Sequence, residues 1–247
     1  MKIIINADDL GISLQVNEAI YELIAEGRVT SATLIVNGPG IADAARRVHL
    51  WPKCSFGAHL NLTEFRPVTK AGREQLTMPN GEMSRRNIEH AWPSPRILQA
   101  VYEEFSAQIQ KLIDLGVPVS HLDSHQHAHT IPQIFPALKA VQKRFALRRI
   151  RPSRNLYFPE KVGSMLLLKK RLFNFALKTV YASRMPDGFT DLPTLLKLDA
   201  KCARQFRSVE VMIHPGASGQ EQETAVLRGP WMELLPFAAE PCSYHQI

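Results

Sequence analysis

Cysteine is scarce in this 247-residue sequence, which has three thiols, at Cys54, Cys202 and Cys242. An odd, widely spaced set argues against a disulfide framework and against a cysteine-based zinc site. We therefore expect three reduced thiols with ordinary structural roles.

Long hydrophobic runs are also missing. No stretch approaches the roughly 18 apolar residues that a membrane span needs, so we predict none. The chain starts with a basic residue and a short apolar run, but Asp8 and Asp9 interrupt it before it reaches the length of a signal peptide. We interpret this segment as the first strand of a cytoplasmic protein.

Aromatic residues make up 8% of the sequence and do not interleave with its basic clusters at 144–154 and 169–171 to form a stacking platform for bases. The net charge of +7 can still attract phosphates or other anions. We favour a solvated basic face, or attraction to an anionic substrate or surface, over nucleic-acid binding. A non-catalytic binder would leave the histidine-rich segment described below unexplained.

Strand-like and helix-like segments alternate, which is typical of an α/β fold with parallel strands. The length and the lack of a linker favour one domain, 1–247. The predicted strands are 2–7, 31–36, 55–62, 117–125, 148–151 and 209–213. The predicted helices are 17–26, 41–48, 96–115, 134–145 and 165–181.

Two stretches are harder to interpret from periodicity. Segment 63–95 has prolines and glycines without a clear period, and we expect a long loop that covers a pocket. The helix predicted over 165–181 is both apolar and basic. It either packs on the sheet or forms a subunit contact, so a homodimer is one interpretation.

Acidic residues and histidines end several predicted strands. Asp8 and Asp9 follow the first strand, where neighbouring side chains point to opposite sides, so that one carboxylate can bind a metal while the other reaches a water molecule. A turn with a helix cap is the alternative. His59 lies in an apolar strand, as core histidines do. His214 ends a late strand, where it either serves catalysis or makes a strand-end hydrogen bond.

The segment from His121 to His129 is the most specific signal. It places an acid and four histidines at alternate positions, and a continuous strand would put all of them on one face: His121, Asp123, His125, His127 and His129. Burying so many titratable groups without an ion is costly. Because Pro132 breaks the strand, we expect the later histidines to lie in the following loop. Mixed carboxylate and imidazole donors suit a divalent metal and favour a metal-dependent hydrolase. A non-haem iron enzyme and a phosphoesterase stay open as alternatives.

Together these segments resemble the YdjC-like carbohydrate deacetylases, a family that includes chitooligosaccharide deacetylases and hopanoid-associated proteins. The matching segments are 6–11, 29–33, 36–38, 57–63, 121–129 and 213–216. The resemblance implies an α/β fold, an irregular (β/α) barrel of the glycoside hydrolase and deacetylase type. It also implies removal of an N-acetyl group from an amino sugar or oligosaccharide, chitooligosaccharide-like or lipid-linked, with release of acetate.

The resemblance also assigns roles residue by residue. It implies that Asp9, His59 and His125 bind a divalent metal, usually Mg²⁺ with Zn²⁺ as the alternative. Asp8 is then the expected general base and His214 the expected general acid. Further residues would orient these ligands or contact a small carbohydrate substrate: Asn61, Asp123, His127 and His129.

Overall fold

Parallel strands form the centre of the molecule. The computed structural model describes residues 1–89, 93–157 and 162–247. Within these ranges one seven-stranded sheet has the order β4-β3-β2-β1-β6-β5, and β7 also pairs with β1. The strands are β1 (Lys2–Leu10), β2 (Ser31–Leu34), β3 (Ser55–Leu60), β4 (Val119–Ser124), β5 (Gly188–Asp191), β6 (Ser208–Ile213) and β7 (Glu240–Cys242).

The central strand β1 begins with an apolar run that is buried on both of its faces. Its residues Ile3, Ile4 and Ile5 are all buried, the pattern expected of a strand inside a parallel sheet. β6 pairs with the first part of β1, from Lys2 to Ala7, and β2 pairs with its last part. The carboxyl end of β1 therefore lies in the middle of the sheet.

The sheet is open, because its named strands do not close on themselves. Single β-bridges from Ile150 to Leu122 and from Arg149 to Arg184 extend it beyond β4. The predicted α/β class and barrel-like architecture are thus confirmed, in an open form. The prediction of a full strand over 148–151 is wrong, because Pro152 follows at once and has no N–H to continue a ladder.

Helices flank the sheet, and the five predicted ones are present with bounds shifted by a few residues. The ten described helices are α1 (Leu14–Ala25), α2 (Ile41–Arg47), α3 (Lys70–Gln75), α4 (Arg86–Glu89), α5 (Pro95–Asp114), α6 (Phe135–Arg144), α7 (Ser164–Thr179), α8 (Leu192–Leu195), α9 (Ala200–Ala203) and α10 (Glu221–Arg228). None of the described helices is long and apolar enough to cross a membrane.

Segment 63–95 is more structured than predicted. It contains α3, α4 and an antiparallel bridge between Thr77 and Met83, so the expectation of a loop without secondary structure is wrong. Helices this short carry no periodic signal for a sequence pattern to reveal. Residues 90–92 of the segment lie outside the described ranges, as do residues 158–161 farther along the chain.

Candidate active site

The carboxyl ends of four strands bring the predicted residues together. Asp9 lies at the end of β1 and His59 near the end of β3. His125 follows β4 directly, and His214 follows β6. In parallel α/β sheets this edge is where ligands bind, because the strands end there and loops supply the side chains.

A bulge at the end of β1 turns both of its acids toward one histidine. The pairing of β1 with β2 shifts register between Ala7 and Leu10, and Asp9 has a left-handed φ of 67°. The side chains of Asp8 and Asp9 both lie near His59. The expectation that they point to opposite sides is therefore wrong, since it assumed a regular strand.

Two histidine rings approach the carboxylate of Asp9. Its Oδ1 lies 2.7 Å from Nδ1 of His125 and 3.2 Å from Nε2 of His59. On the far side of the His59 ring, Nδ1 lies 2.8 Å from Oδ1 of Asp123. Asp123 thus fixes which ring nitrogen of His59 faces Asp9. Two imidazole nitrogens and one carboxylate oxygen are a donor set that holds divalent metals.

The electrostatics of this cluster also fit a cation. Burial lowers the pKa of His59, but Asp123 and Asp9 outweigh it and raise the pKa to about 10. Burial likewise opposes ionisation of Asp9, yet hydrogen bonds from both histidines hold its pKa well below the usual range. Asp9 raises the pKa of His125 against the effect of burial. The carboxylates around the two rings therefore stabilise positive charge, the property that a divalent ion requires.

A second buried cluster surrounds Arg151. Its guanidinium donates two hydrogen bonds to Asp8, of 2.6 and 2.7 Å, and lies 2.9 Å from Asp123 and 2.7 Å from Glu210. Burial raises the pKa of Asp8, but Arg151 outweighs it and holds that pKa far below the ordinary value. Burial raises the pKa of Glu210 to about 7, although Arg151 opposes the shift. The interpretation of 144–154 as a solvated basic face is wrong for Arg151, which is fully buried.

The histidine-rich segment leaves the strand earlier than the alternating pattern predicts. β4 ends at Ser124, and a short 3₁₀ segment, His125–Thr130, follows. Gln126 and His127 have left-handed φ values of 48° and 56°. Only His121 and Asp123 lie on β4, and the expectation that the later histidines lie in the segment after the strand is confirmed.

The remaining histidines lie in separate places. His121 stacks on Tyr244 with ring centroids 3.7 Å apart. His127 packs against Phe189, and its Nδ1 is buried without a hydrogen bond. His129 is buried with one ring nitrogen 3.1 Å from the carbonyl of Arg151. Burial lowers the pKa of all three, that of His127 to about 3, so each ring is neutral at neutral pH.

Asn61 shapes a turn beside the site. It is fully buried, and its Oδ1 accepts hydrogen bonds from the backbone N–H groups of Thr63 and Glu64. The turn places Oε1 of Glu64 3.3 Å from Nε2 of His125, and Gln126 donates a 2.8 Å hydrogen bond to the same oxygen. Sequence reasoning missed Glu64, although it directly follows the matched segment 57–63.

His214 lies at the open side of the site with its side chain 31% exposed. Its Nε2 is 3.9 Å from Oδ2 of Asp8, and its backbone N–H donates to Glu223. The residues predicted as base and acid therefore lie side by side at this edge of the site.

Two uncharged residues complete the polar network. Thr33 donates a 3.0 Å hydrogen bond to Asp123, and Asn6 donates a 2.8 Å hydrogen bond to Asp8. Both residues belong to the matched segments, so their positions in the motifs could have identified them as members of the site.

The fold and the site together define an α/β protein with a buried imidazole and carboxylate centre able to hold a divalent metal.

Comparisons with known proteins agree with this class. The family model described as YdjC-like protein matches residues 2–235. The chain therefore belongs to the YdjC-like family, and the resemblance inferred from the motifs is confirmed.

Individual proteins show the same relationship. A carbohydrate deacetylase of Vibrio cholerae serotype O1 is 31% identical over 222 residues, covering 87% of this chain and 78% of that protein. A chitooligosaccharide deacetylase of Citrobacter koseri is 34% identical over 225 residues, covering 86% and 81%. A solved structure from Enterococcus faecalis V583 superposes with a TM-score of 0.76 at 23% identity, covering 99% and 98%, and supports the fold.

Proposed function

We propose that this protein is a metal-dependent hydrolase that removes the N-acetyl group from an amino sugar or short oligosaccharide and releases acetate. The observation that carries the proposal is the juxtaposition of the Asp9–His59–His125 donor set with a second carboxylate, Asp8. The related carbohydrate and chitooligosaccharide deacetylases point to the same reaction and to a small carbohydrate substrate. Residues outside the motifs would determine whether the preferred substrate is a free or a lipid-linked sugar.

Asp9, His59 and His125 would hold the metal. A bound divalent ion supplies polarisation of the acetyl carbonyl and acidification of a water molecule. The family resemblance favours Mg²⁺, whereas two imidazole nitrogens are a donor set that also suits Zn²⁺. Asp123 would orient the His59 ring through its other nitrogen, and Glu64 lies 3.3 Å from the other nitrogen of His125 as a nearby negative charge.

Asp8 and His214 would move the protons. Asp8 is ionised and held by Arg151, so it is ready to accept the proton of the attacking water. The water oxygen forms a bond to the acetyl carbon while the C–N bond breaks. His214 Nε2, which lies 3.9 Å from Asp8, would give a proton to the departing amine. Arg151 acts here as a positioning residue, because its guanidinium fixes the direction of both Asp8 oxygens.

Four further statements remain proposals. We propose that residues 1–247 form one YdjC-like domain and that the protein works in the cytoplasm. His127 lies beside Phe189 with an unpartnered ring nitrogen, and we propose that it contacts the substrate. His129 would instead support Arg151 through the backbone carbonyl of that residue.

The test is acetate release from a panel of N-acetylated sugars by chelated, Mg²⁺-loaded and Zn²⁺-loaded protein. We expect metal-dependent release, and we expect Asp8→Asn to lower the rate by about 10²–10⁴-fold because the proton acceptor is lost. Metal binding by the variant, measured by calorimetry, controls for an intact site. Phosphate release from an aryl phosphate, or oxygen-dependent turnover with Fe²⁺, would replace the deacetylase with one of the two alternative reactions.

A further inference from the structure

Exposed apolar side chains concentrate on α7. Of the fourteen large hydrophobic residues that are exposed among the described ones, six belong to α7 or directly follow it: Met165, Leu166, Leu168, Leu172, Phe175 and Val180. Their exposed fractions run from 44% to 68%. Single exposed hydrophobic residues are ordinary, but a contiguous group marks a surface that meets something apolar.

Four of these residues form a stripe along the helix. Met165, Leu168, Leu172 and Phe175 follow each other at spacings of three and four, which places them on one face. The opposite side attaches α7 to the protein. Asn174 accepts from and donates to the backbone of Ser153, with distances of 2.8 and 2.9 Å. The stripe therefore faces solvent in the isolated chain.

The charges beside the stripe have one sign. α7 contains four basic residues and no acidic one. Lys169, Arg171 and Lys178 are exposed, and at 100° per residue Lys169 falls on one side of the stripe and the other two on the opposite side. The fourth, Lys170, turns inward and donates to Ser153. An occupant of this face must therefore be apolar at its centre and negative along both edges.

A second copy of the chain does not meet that requirement. In a symmetric pair the same patch faces itself, so the basic edges of one copy, Lys169 on one side and Arg171 and Lys178 on the other, would lie against the basic edges of the partner.

We propose that α7 docks the protein on the surface of an anionic lipid bilayer. The apolar stripe would enter the boundary between headgroups and acyl chains, as interfacial amphipathic helices do. Lys169, Arg171 and Lys178 would extend their amines and guanidinium to the lipid phosphates. A bilayer surface is fluid, so α7 can bind it without a partner of complementary shape.

The first experiment is flotation of the full chain with phosphatidylcholine vesicles, with and without phosphatidylglycerol. We expect the protein to float with the anionic vesicles and to stay behind with the neutral ones. Binding should weaken as salt shortens the screening length to about 3 Å at about 1 M. No binding to the anionic vesicles at low salt would overturn the proposal.

Paired variants separate this face from unspecific attraction to the positive protein. Lys169→Gln/Arg171→Gln/Lys178→Gln should lower the partition coefficient on the order of 100-fold, because each basic residue near an anionic surface contributes about fivefold. Leu168→Ser/Phe175→Ser should lower it by at least about tenfold. The matched controls, Lys53→Gln/Lys70→Gln/Lys111→Gln and Leu50→Ser/Leu234→Ser, change equally exposed residues elsewhere and should bind nearly as wild type.

Two outcomes contradict the inference even if vesicles bind. Equal losses in the α7 variants and in their controls would show attraction by net charge alone. A dimer in light scattering that Leu168→Ser/Phe175→Ser converts to monomer, with vesicle binding unchanged, would assign the face to self-association. Circular dichroism melting curves of all variants verify that they are folded. None of these measurements requires deacetylase activity.

Discussion

At the scale of single residues, the two histidines of the metal cluster share one arrangement. The His59 ring lies between Asp9 and Asp123, and the His125 ring lies between Asp9 and Glu64. The carboxylate of Asp123 fixes the tautomer of His59 and turns its inner nitrogen toward the candidate metal site, whereas Glu64 lies 3.3 Å from Nε2 of His125 without hydrogen-bonding it. Glu64 differs from Asp123 in that its side chain is 42% exposed. Its contribution should therefore be the weaker of the two.

We expect Glu64→Ala to reduce metal affinity about tenfold, the lower end of the range for residues that orient metal ligands. Oε1 of Glu64 lies 3.3 Å from Nε2 of His125 without hydrogen-bonding it, so the substitution removes an electrostatic contact that steadies the ring. Titration calorimetry with Zn²⁺ and with Mg²⁺ measures the change directly. Glu82→Ala, in the same segment and exposed, is the control and should bind as wild type. Unchanged affinity in Glu64→Ala would show that His125 needs no such partner.

The sequence identified residues that the structure brings together, but it did not predict how they are arranged in space. Asp9, His59 and His125 were identifiable because motif spacing survives whatever path the loops take. The alternation from 121 to 129 does not place all five side chains on one face, because a period of two has meaning only while a strand continues, and β4 stops at Ser124. Arg151 was unpredictable for another reason. It sits among basic residues that include exposed Arg148, and only the tertiary fold turns it inward.

At the scale of elements, α5 has a second role that its clear apolar period concealed. Glu104 and Gln108 lie on its buried face. Gln108 exchanges hydrogen bonds with the backbone N–H and carbonyl of Asn61. Glu104 accepts from the backbone N–H groups of Val68 and Thr69. The helix thus holds both ends of the turn that carries Glu64, and links packing to the geometry of the site.

Glu104→Gln should lower the free energy of unfolding by about 2 kcal/mol. The amide nitrogen of glutamine would face donors that now bind a carboxylate oxygen, leaving buried N–H groups unpaired. Urea denaturation measures the loss. Glu103→Gln is the control, because Glu103 is one residue away and accepts a hydrogen bond from Gln99 at the surface, and it should change stability by less than about 0.5 kcal/mol. Equal stability of the two variants would contradict this role of Glu104.

Element predictions failed where local signals are weak. The strand predicted over 55–62 ends at Leu60, because Gln108 takes the backbone hydrogen bonds of the following residue away from the sheet. The short helices α3 and α4 span too few turns to show a period. The longest helix, α5, was placed within a residue or two, since its 20 residues repeat the pattern several times.

At the scale of the whole molecule, the two ends of the chain meet. β7 pairs with the start of β1, and the Met1 amino group donates to the carbonyl of Ala238. Just beyond β7, the Tyr244 hydroxyl donates to Glu210, which binds Arg151. The last residues of the chain therefore help to hold the buried charges of the site. This dependence supports the proposal of one domain over 1–247.

A buried lysine couples the packing of α7 to pH. Lys139 on α6 donates to the Leu177 carbonyl and to Ser183, and burial lowers its pKa from an ordinary 10.5 to about 8. Between these values the unfolded chain keeps a proton that the folded chain has lost, so folding is favoured as pH rises.

We expect the unfolding free energy of wild type minus that of Lys139→Met to be level below about pH 8 and to increase toward about pH 10. Urea denaturation across this range measures it, and Lys143→Met, exposed on the same helix, should show no such rise. A level or falling difference for Lys139→Met would mean that the three acceptors around its amine keep it protonated in the folded protein.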